Sequence, residues 1–225
     1  AMDLIAAAVA KVSLHEALDE KEVGVVPSVL VIGGGIAGIQ ASLDIARSGF
    51  EVYLVEKTPS LGGHLSQLDR TFPNLDETSA FLSPKLEEVG SHPLIHIFTQ
   101  SEAQEVEGFV GNFKVRVRQT PRYINPEKCT RCRKCEEACP VRVPSEFNMG
   151  LTERPAIYLP SPYAVPFTYT VDSENCLFLR KGECGKGREA CPEGAVEFEP
   201  VGAERQFDIG TLIVATGSDP FDATP

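Results

Sequence analysis

The sequence predicts an α/β fold, a doubly wound parallel sheet interrupted by a compact α+β segment, on three observations. A short β-branched run ends at a glycine cluster and leads into a helix-like stretch; a second β-branched run follows; and all seven cysteines crowd into one part of the chain. Taken in order, Leu4, Ile5, Ala8, Val9, Val12 and Leu14 have helical spacing, so residues 4–19 read as a helix that packs on something. Residues 26–32 read as a strand, residues 37–48 as a helix and residues 51–55 as a second buried strand, a βαβ unit within about 30 residues. A helix over 79–89 and a strand over 95–98 continue the pattern, and the alternation in residues 113–118 suggests a half-exposed antiparallel strand. At Pro121 the character changes, with Pro, Cys, Arg, Lys and Glu displacing the apolar runs. Thr211 to Gly217 then returns as a buried parallel strand. The cysteine segment therefore interrupts one fold rather than following it. The expected division is an N-terminal helix and linker (1–25), a Rossmann-like domain (26–120 and 200–225) and an inserted domain (121–199).

Composition narrows the function. The 225 residues are 42% hydrophobic, enough to bury a core, and 21 basic against 32 acidic residues give a formal charge of −11. An excess of acid argues against nucleic acid as a partner, since neutralising phosphates needs clustered Lys and Arg. The apolar stretch from Leu4 to Ala10 is far short of the roughly 20 residues a membrane span requires, and no basic region precedes it. The chain reads as soluble and cytoplasmic. Its opening Ala1-Met2-Asp3 looks like an internal start or a cloning remnant, so a preceding portion is expected to be absent.

Gly33-Gly34-Gly35-Ile36-Ala37-Gly38 fits G-x-G-x-x-G. Gly33 serves the tight turn, Gly35 lets backbone approach a pyrophosphate, and Gly38 lets the helix pack on the strand. The motif follows an expected strand and opens an expected helix, whose N-terminal N–H groups favour an anion. Glu56 ends the second strand, where a carboxylate can accept hydrogen bonds from a ribose. FAD or a nicotinamide dinucleotide fits this site, and a glycine turn without ligand is the bland alternative. Three details resemble the FAD domain of the two-dinucleotide disulfide reductases and favour FAD: Gly62-Gly63 after the second strand, the strand end Ala215-Thr216-Gly217, and the lack of a second such glycine motif. The candidate cofactor residues are Gly33, Gly35, Ile36, Ala37, Gly38, Glu56, Lys57, Gly62, Gly63, His64, Ala215, Thr216 and Gly217.

Cys129-x2-Cys132-x2-Cys135-x3-Cys139-Pro140 is the spacing of bacterial ferredoxins. Three closely spaced thiolates converge on one cluster, while the fourth, before proline, points to another. Zinc more often uses two separated C-x2-C pairs, and a disulfide framework would not leave the first 128 residues bare of cysteine; these and free thiols are the competing readings. By the crossed rule Cys129, Cys132 and Cys135 with Cys191 make one 4Fe-4S set. A second set has Cys139, Cys176 and Cys184, but the residue three after Cys184 is Gly187, which offers no ligand. That site is expected to hold a 3Fe-4S cluster, a 4Fe-4S cluster with a non-cysteine ligand, or nothing.

With these motifs in place the chain resembles the A subunit of heterodisulfide reductases. The resemblance runs through Val31 to Ala41, Gly62 to Asp69 with Thr71-Phe72-Pro73, Pro121-Arg122-Tyr123, Pro140 to Pro144, Ala156-Ile157-Tyr158 and Ala164-Val165-Pro166. It implies a Rossmann-like FAD-binding fold of disulfide-reductase type, interrupted by a 2[4Fe-4S] ferredoxin-like insert. It also implies an electron-transfer subunit that works with other subunits, with flavin-based electron bifurcation as the fullest form of that activity. Two departures stand out. A family C-x-x-C pair before Leu82 falls here on Glu77 and Ala80, and the family continues past Pro225 to complete the FAD fold, so FAD binding is expected to be incomplete here or supplied by another polypeptide. A naturally split gene and a trimmed one both fit.

The remaining residues have plainer readings. His64 serves the flavin or makes a structural hydrogen bond. Arg131, Arg133, Lys134, Lys181, Lys186 and Arg188 form a solvated rim, with steering of an acidic ferredoxin as the alternative. His15, His92 and His96 lack metal spacing, and no Ser–His–Asp arrangement supports hydrolysis. Two functions compete: an oxidoreductase component carrying flavin and clusters, and an iron–sulfur relay or assembly module that binds no flavin.

Overall fold

The computed structural model describes residues 2–16 and 22–219. Helix α1 (Met2–Ser13) forms as its spacing predicts, with Asp3 in the first turn and Lys11 in the last complementing the helix dipole. It buries none of its residues, contrary to the expectation that it packs on something. Helical spacing shows that an apolar face exists, not what covers it. The last part of the expected helix, residues 17–19, lies outside the described residues.

The central unit is β1 (Ser28–Ile32), α2 (Ile36–Arg47) and β2 (Glu51–Val55), joined further on by α3 (Thr78–Ser91) and β5 (Ile95–Phe98). Between β2 and α3 lie a 3₁₀ turn (Gly63–Gln67) and a short hairpin of β3 (Arg70–Thr71) and β4 (Asp76–Glu77). Strands β1, β2 and β5 pair in parallel, and a late strand, β13 (Thr211–Val214), adds to the free edge of β1, giving the order β13-β1-β2-β5. The period-two alternation of β1 sends Val31 toward α2 and α3, where it meets Ile39, Leu43, Leu54, Leu86 and Val89. Leu30 points to the opposite face, against Val115, Val117 and Ile209.

That second face is covered by an antiparallel sheet rather than by helices. Its strands are β6 (Ser101–Phe109), β7 (Asn112–Gln119) and β12 (Ala203–Ile209), in the order β12-β7-β6. The half-exposed strand expected over 113–118 is β7, with Val115 and Val117 turned inward. The expectation of a buried final strand needs correcting: β13 stops at Val214, and Thr211 and Val214 are exposed because an edge strand has a neighbour on one side only.

The chain leaves the antiparallel sheet after Gln119 and returns at Ala203, and these two residues face each other across the β7–β12 ladder. The excursion contains α4 (Lys134–Ala138), the hairpin of β8 (Val143–Pro144) and β9 (Glu153–Arg154), the pair β10 (Ile157–Tyr158) and β11 (Thr170–Val171), then α5 (Leu177–Lys181) and α6 (Lys186–Glu189). It has its own small core, in which Ile124, Ile157, Tyr169, Val171, Val196 and Phe198 surround Cys135, Cys139 and Cys176. Arg154 anchors its middle, paired with Glu146 and with Asp172 at 2.9 Å and stacked on Tyr158.

Candidate functional site

The glycine loop is drawn tight by contacts that no side chain could survive. Gly33 has φ +109°, and a Cβ there would strike the carbonyl of Ala215; a Cβ on Gly38 would strike the carbonyl of Gly33. The Ala215 carbonyl is held in place because its N–H donates to Ile32 O at 2.7 Å, continuing the β13 ladder. Gly35 is different: nothing lies within 4 Å of where its Cβ would be. It stands at the open N-terminus of the 12-residue α2, whose first N–H groups have no partner within the helix. Open space beside unpaired N–H groups is the cradle a pyrophosphate requires.

Glu56 is buried beneath this loop. Its carboxylate accepts from Gly34 N–H at 2.5 Å and from Thr58 N–H at 2.7 Å, so it also braces the loop itself. Two carboxylate oxygens offer about four lone-pair positions, which leaves capacity for a hydroxyl pair. Gly62 N–H donates to Gly34 O at 2.8 Å, and a Cβ on Gly63 would lie 3.0 Å from Gly35 Cα, so the second glycine pair rests on the first loop. Ile36, Ala37 and Gly38 occupy the first turn of α2. Lys57, His64, Thr216 and Gly217 are exposed around this region.

Three residues that motif reading passed over tie this loop to the excursion. Ser60 Oγ accepts from Val165 N–H at 2.9 Å, and Leu61 N–H donates to Val165 O at 3.0 Å. Leu61 is buried with its side chain against Gly34. Arg122 donates from one terminal nitrogen to Pro59 O and to Thr99 Oγ1 at 2.8 Å, while its other terminal nitrogen is buried without a protein partner. Burial pulls its pKa down to about 10, with Tyr158 opposing, so the guanidinium is still charged at neutral pH. Only the Pro-Arg-Tyr tripeptide in the resemblance hinted at Arg122.

The cysteines of the first set come together. Cys129, Cys132, Cys135 and Cys191 line one small cavity, walled by Ile124, Tyr169 and Val196. Arg131 and Arg133 sit at φ +60° and +66°, uncommon for side-chain-bearing residues, and these reversals curl the C-x2-C-x2-C loop around the cavity. Burial, then the proximity of Cys191, and then Cys129 and Cys132, push the Cys135 thiol up to about 12, with the Glu136 N–H opposing. The thiolate forms of cysteines this close repel one another, and a cation held among them relieves that repulsion. Ala195 N–H donates to Cys191 Sγ at 3.2 Å, the kind of contact that tunes a thiolate ligand. Among the described residues no three His, Cys, Asp or Glu side chains meet at a point as a single ion would demand, and all seven cysteines are free.

The second set is less closed. Cys139 and Cys176 are buried in the excursion's core, whereas Cys184 is half-buried with φ +80° in the loop between α5 and α6. Gly187 is buried in α6. The three arginines of the basic rim have partners: Arg133 with Glu136, Arg188 with Glu199, and Arg131 over the Phe167 ring.

A family model described as FAD dependent oxidoreductase matches residues 28–144. Across its full length the chain is 46% identical to the A subunit of the H(2):CoB-CoM heterodisulfide,ferredoxin reductase of Methanothermobacter marburgensis, of which it covers 33%. It is 47% identical, again over its full length and 33% of the relative, to the first of the iron-sulfur A subunits of the CoB–CoM heterodisulfide reductase of Methanopyrus kandleri. A protein of Archaeoglobus profundus, named for its likeness to the heterodisulfide reductase A subunit, is 44% identical, with 100% of this chain and 35% of the relative covered. The chain thus spans about a third of the length of the curated relatives it matches. Among solved structures, the L-proline dehydrogenase of P. horikoshii aligns with 25% identity and a TM-score of 0.37 over 46% of this chain and 21% of that one, a likeness too slight to carry weight. Among the described residues no helix is long and apolar enough to cross a membrane.

Proposed function

Because the chain belongs to the FAD dependent oxidoreductase family, we propose that it is the flavin-side electron-transfer portion of a heterodisulfide-reductase-like A subunit. The observation that carries this reading is the cavity lined by Cys129, Cys132, Cys135 and Cys191 in a segment bonded directly to the glycine loop's support. In this reading residues 121–199 form a ferredoxin-like insert in a Rossmann-like domain.

FAD, when bound, supplies exchange of an electron pair as single electrons, and an iron–sulfur cluster supplies one-electron steps. The chain's own residues supply the positions. Gly35 and the first turn of α2, with Ile36, Ala37 and Gly38, receive the pyrophosphate. Glu56 receives the ribose hydroxyls, and Gly33 and Ala215 hold the loop rigid beneath them. Lys57, Gly62, Gly63, His64, Thr216 and Gly217 border the same site. Cys129, Cys132, Cys135 and Cys191 would hold a 4Fe-4S cluster, walled on its inner side by Ile124, Tyr169 and Val196, with Cys135 buried and Cys132 at the surface. Other subunits of the complex receive the electrons, and bifurcation between two acceptors is the fuller activity we assign to the assembled enzyme.

The test is anaerobic purification of the protein, followed by flavin extraction and iron analysis. We expect about one FAD per chain together with iron bound through the first cysteine set. Iron-loaded, folded protein that releases no flavin would instead establish the chain as an iron–sulfur relay.

A further inference from the structure

We propose that residues 165–169 form a strut between the two cofactor sites, with Ser60 as the positioning residue that receives it, so that iron in the first cysteine set tightens the binding of the flavin dinucleotide. The inference rests on the flavin and iron–sulfur reading above and adds to it a dependence of one site on the other.

At one end the strut grips the support of the glycine loop. Both backbone groups of Val165 are engaged there: its N–H donates to Ser60 Oγ at 2.9 Å, and its carbonyl accepts from Leu61 N–H at 3.0 Å. Ser60 is buried, and its hydroxyl donates in turn to the Leu61 carbonyl at 3.0 Å. What the strut holds is the floor of the dinucleotide site. The Leu61 side chain lies against Gly34, Gly62 N–H donates to Gly34 O at 2.8 Å, and Gly63 packs on Gly35, the glycine that faces open space.

The other end reaches the cysteines. Tyr169 is 2% exposed and walls the cavity lined by Cys129, Cys132, Cys135 and Cys191. Its hydroxyl donates to the Glu136 carboxylate at 2.9 Å, beside Cys135 in α4. Between the two ends, the Phe167 ring lies 5.0 Å from the guanidinium of Arg131, which stands between Cys129 and Cys132 in the chain. Five residues reach at most about 15 Å, so no long or slack connection separates the sites.

Metal binding orders the loop that carries its ligands. With iron in place, Phe167 and Tyr169 pack on a fixed surface, and Val165 presents its two hydrogen bonds to Ser60 and Leu61 already aligned. Without iron the dinucleotide must itself order residues 59–63 as it binds, and a site ordered on binding is weaker than one ordered in advance. Coupling between binding sites is reciprocal, so the dinucleotide in turn strengthens the hold on iron.

Anaerobic FAD titration of the full chain, iron-loaded and after chelation, tests this. We expect the dissociation constant to rise by about fivefold or more when iron is removed. Ser60→Ala takes away the acceptor of the Val165 N–H and should weaken the iron-loaded form until the two constants agree within about twofold. Phe167→Ala, at a half-exposed position outside both sites, should reduce the ratio from the strut's other end. If Ser60 were merely structural, Ser60→Ala would lower the melting temperature in both states and leave the ratio as in the wild type, which would overturn the proposal. Equal affinity of the loaded and stripped wild type for FAD would also overturn it, while leaving the flavin and iron–sulfur reading intact. A chain that takes up no FAD in either state, or no iron, would end that reading and the proposal together.

Discussion

A methyl group added to the glycine loop distinguishes residues that hold the loop from the residue that faces a ligand. At Gly38 the added carbon runs into the Gly33 carbonyl, which is backbone and has no room to retreat. We expect Gly38→Ala to destabilise the fold by about 1–3 kcal/mol, the usual cost of overpacking, measurable by denaturant unfolding. At Gly35 the same methyl meets no protein atom, and the backbone there, φ −75°, already suits alanine. Removing a glycine's unfolded-state freedom should leave Gly35→Ala as stable as the wild type or up to about 1 kcal/mol more so. Flavin titration of the same variant should show affinity lowered by about tenfold or more, because the methyl fills the approach to the pyrophosphate. Loss of stability without loss of flavin at this residue would count against the assigned site. Glycine spacing makes this distinction readable from sequence, since it reports where backbone must come close. The roles of Ser60 and Arg122 are not readable in that way, because each acts through a contact with a distant stretch of chain, Val165 in one case and Pro59 and Thr99 in the other.

Among the elements, the β8–β11 region around Arg154 holds a largely buried ionic cluster. Burial by itself raises the Asp172 pKa, but hydrogen bonds from Asn175 and Arg154 outweigh it and hold the carboxyl below its usual 3.8. Glu146 is likewise held below its usual 4.5, burial again opposing and Arg154 prevailing. A carboxyl with a lowered folded-state pKa stabilises the fold above its unfolded value, and that stabilisation disappears as the pH falls through the folded one. The region should therefore loosen below about pH 4, as those carboxylates take up protons. Asp172→Asn should cost on the order of 3 kcal/mol at neutral pH, leaving a buried Arg154 short of one partner, and should flatten the acid limb of the stability profile. Thermal melts from pH 7 to pH 3 check both; an unchanged acid limb in the variant would assign the acid sensitivity elsewhere. This element was not foreseen because its strands are two residues long and carry no periodicity. Strand β6 was missed for a different reason. Glu102, Glu105 and Glu107 face Arg118, Arg116 and Lys114 across the ladder, and a register shift between Ala103 and Glu105 breaks the alternation. A run so polar reads as loop until its partner strand is known. By contrast β1, α2 and β2 were legible because both faces of the sheet bury side chains and the helix carries a continuous apolar stripe.

Over the whole molecule, the parallel sheet and the cysteine-bearing excursion each have a core, joined where Val165 of the excursion packs on the first. Stripping iron from the holoprotein should raise amide exchange across residues 121–199 by about tenfold or more while leaving Leu30, Val31 and Leu54 protected, because metal binding and folding are coupled only where the ligands lie. Hydrogen exchange with mass spectrometry before and after chelation reads this directly; equal loosening of the sheet would mean that the bonds through Ser60 and Arg122 make one cooperative unit. The pairing of Gln119 with Ala203 also bears on how the chain folds. Strand β12 must find β7 after a long detour, and closing so long a loop is entropically costly unless the detour has already become compact. If the thiolates collapse around iron as proposed, metal supply acts as a timing signal during synthesis: β12 and then β13 dock late, and only then does Ala215 arrive to brace Gly33. A cell short of iron would then set the nucleotide loop later, not fail to set it.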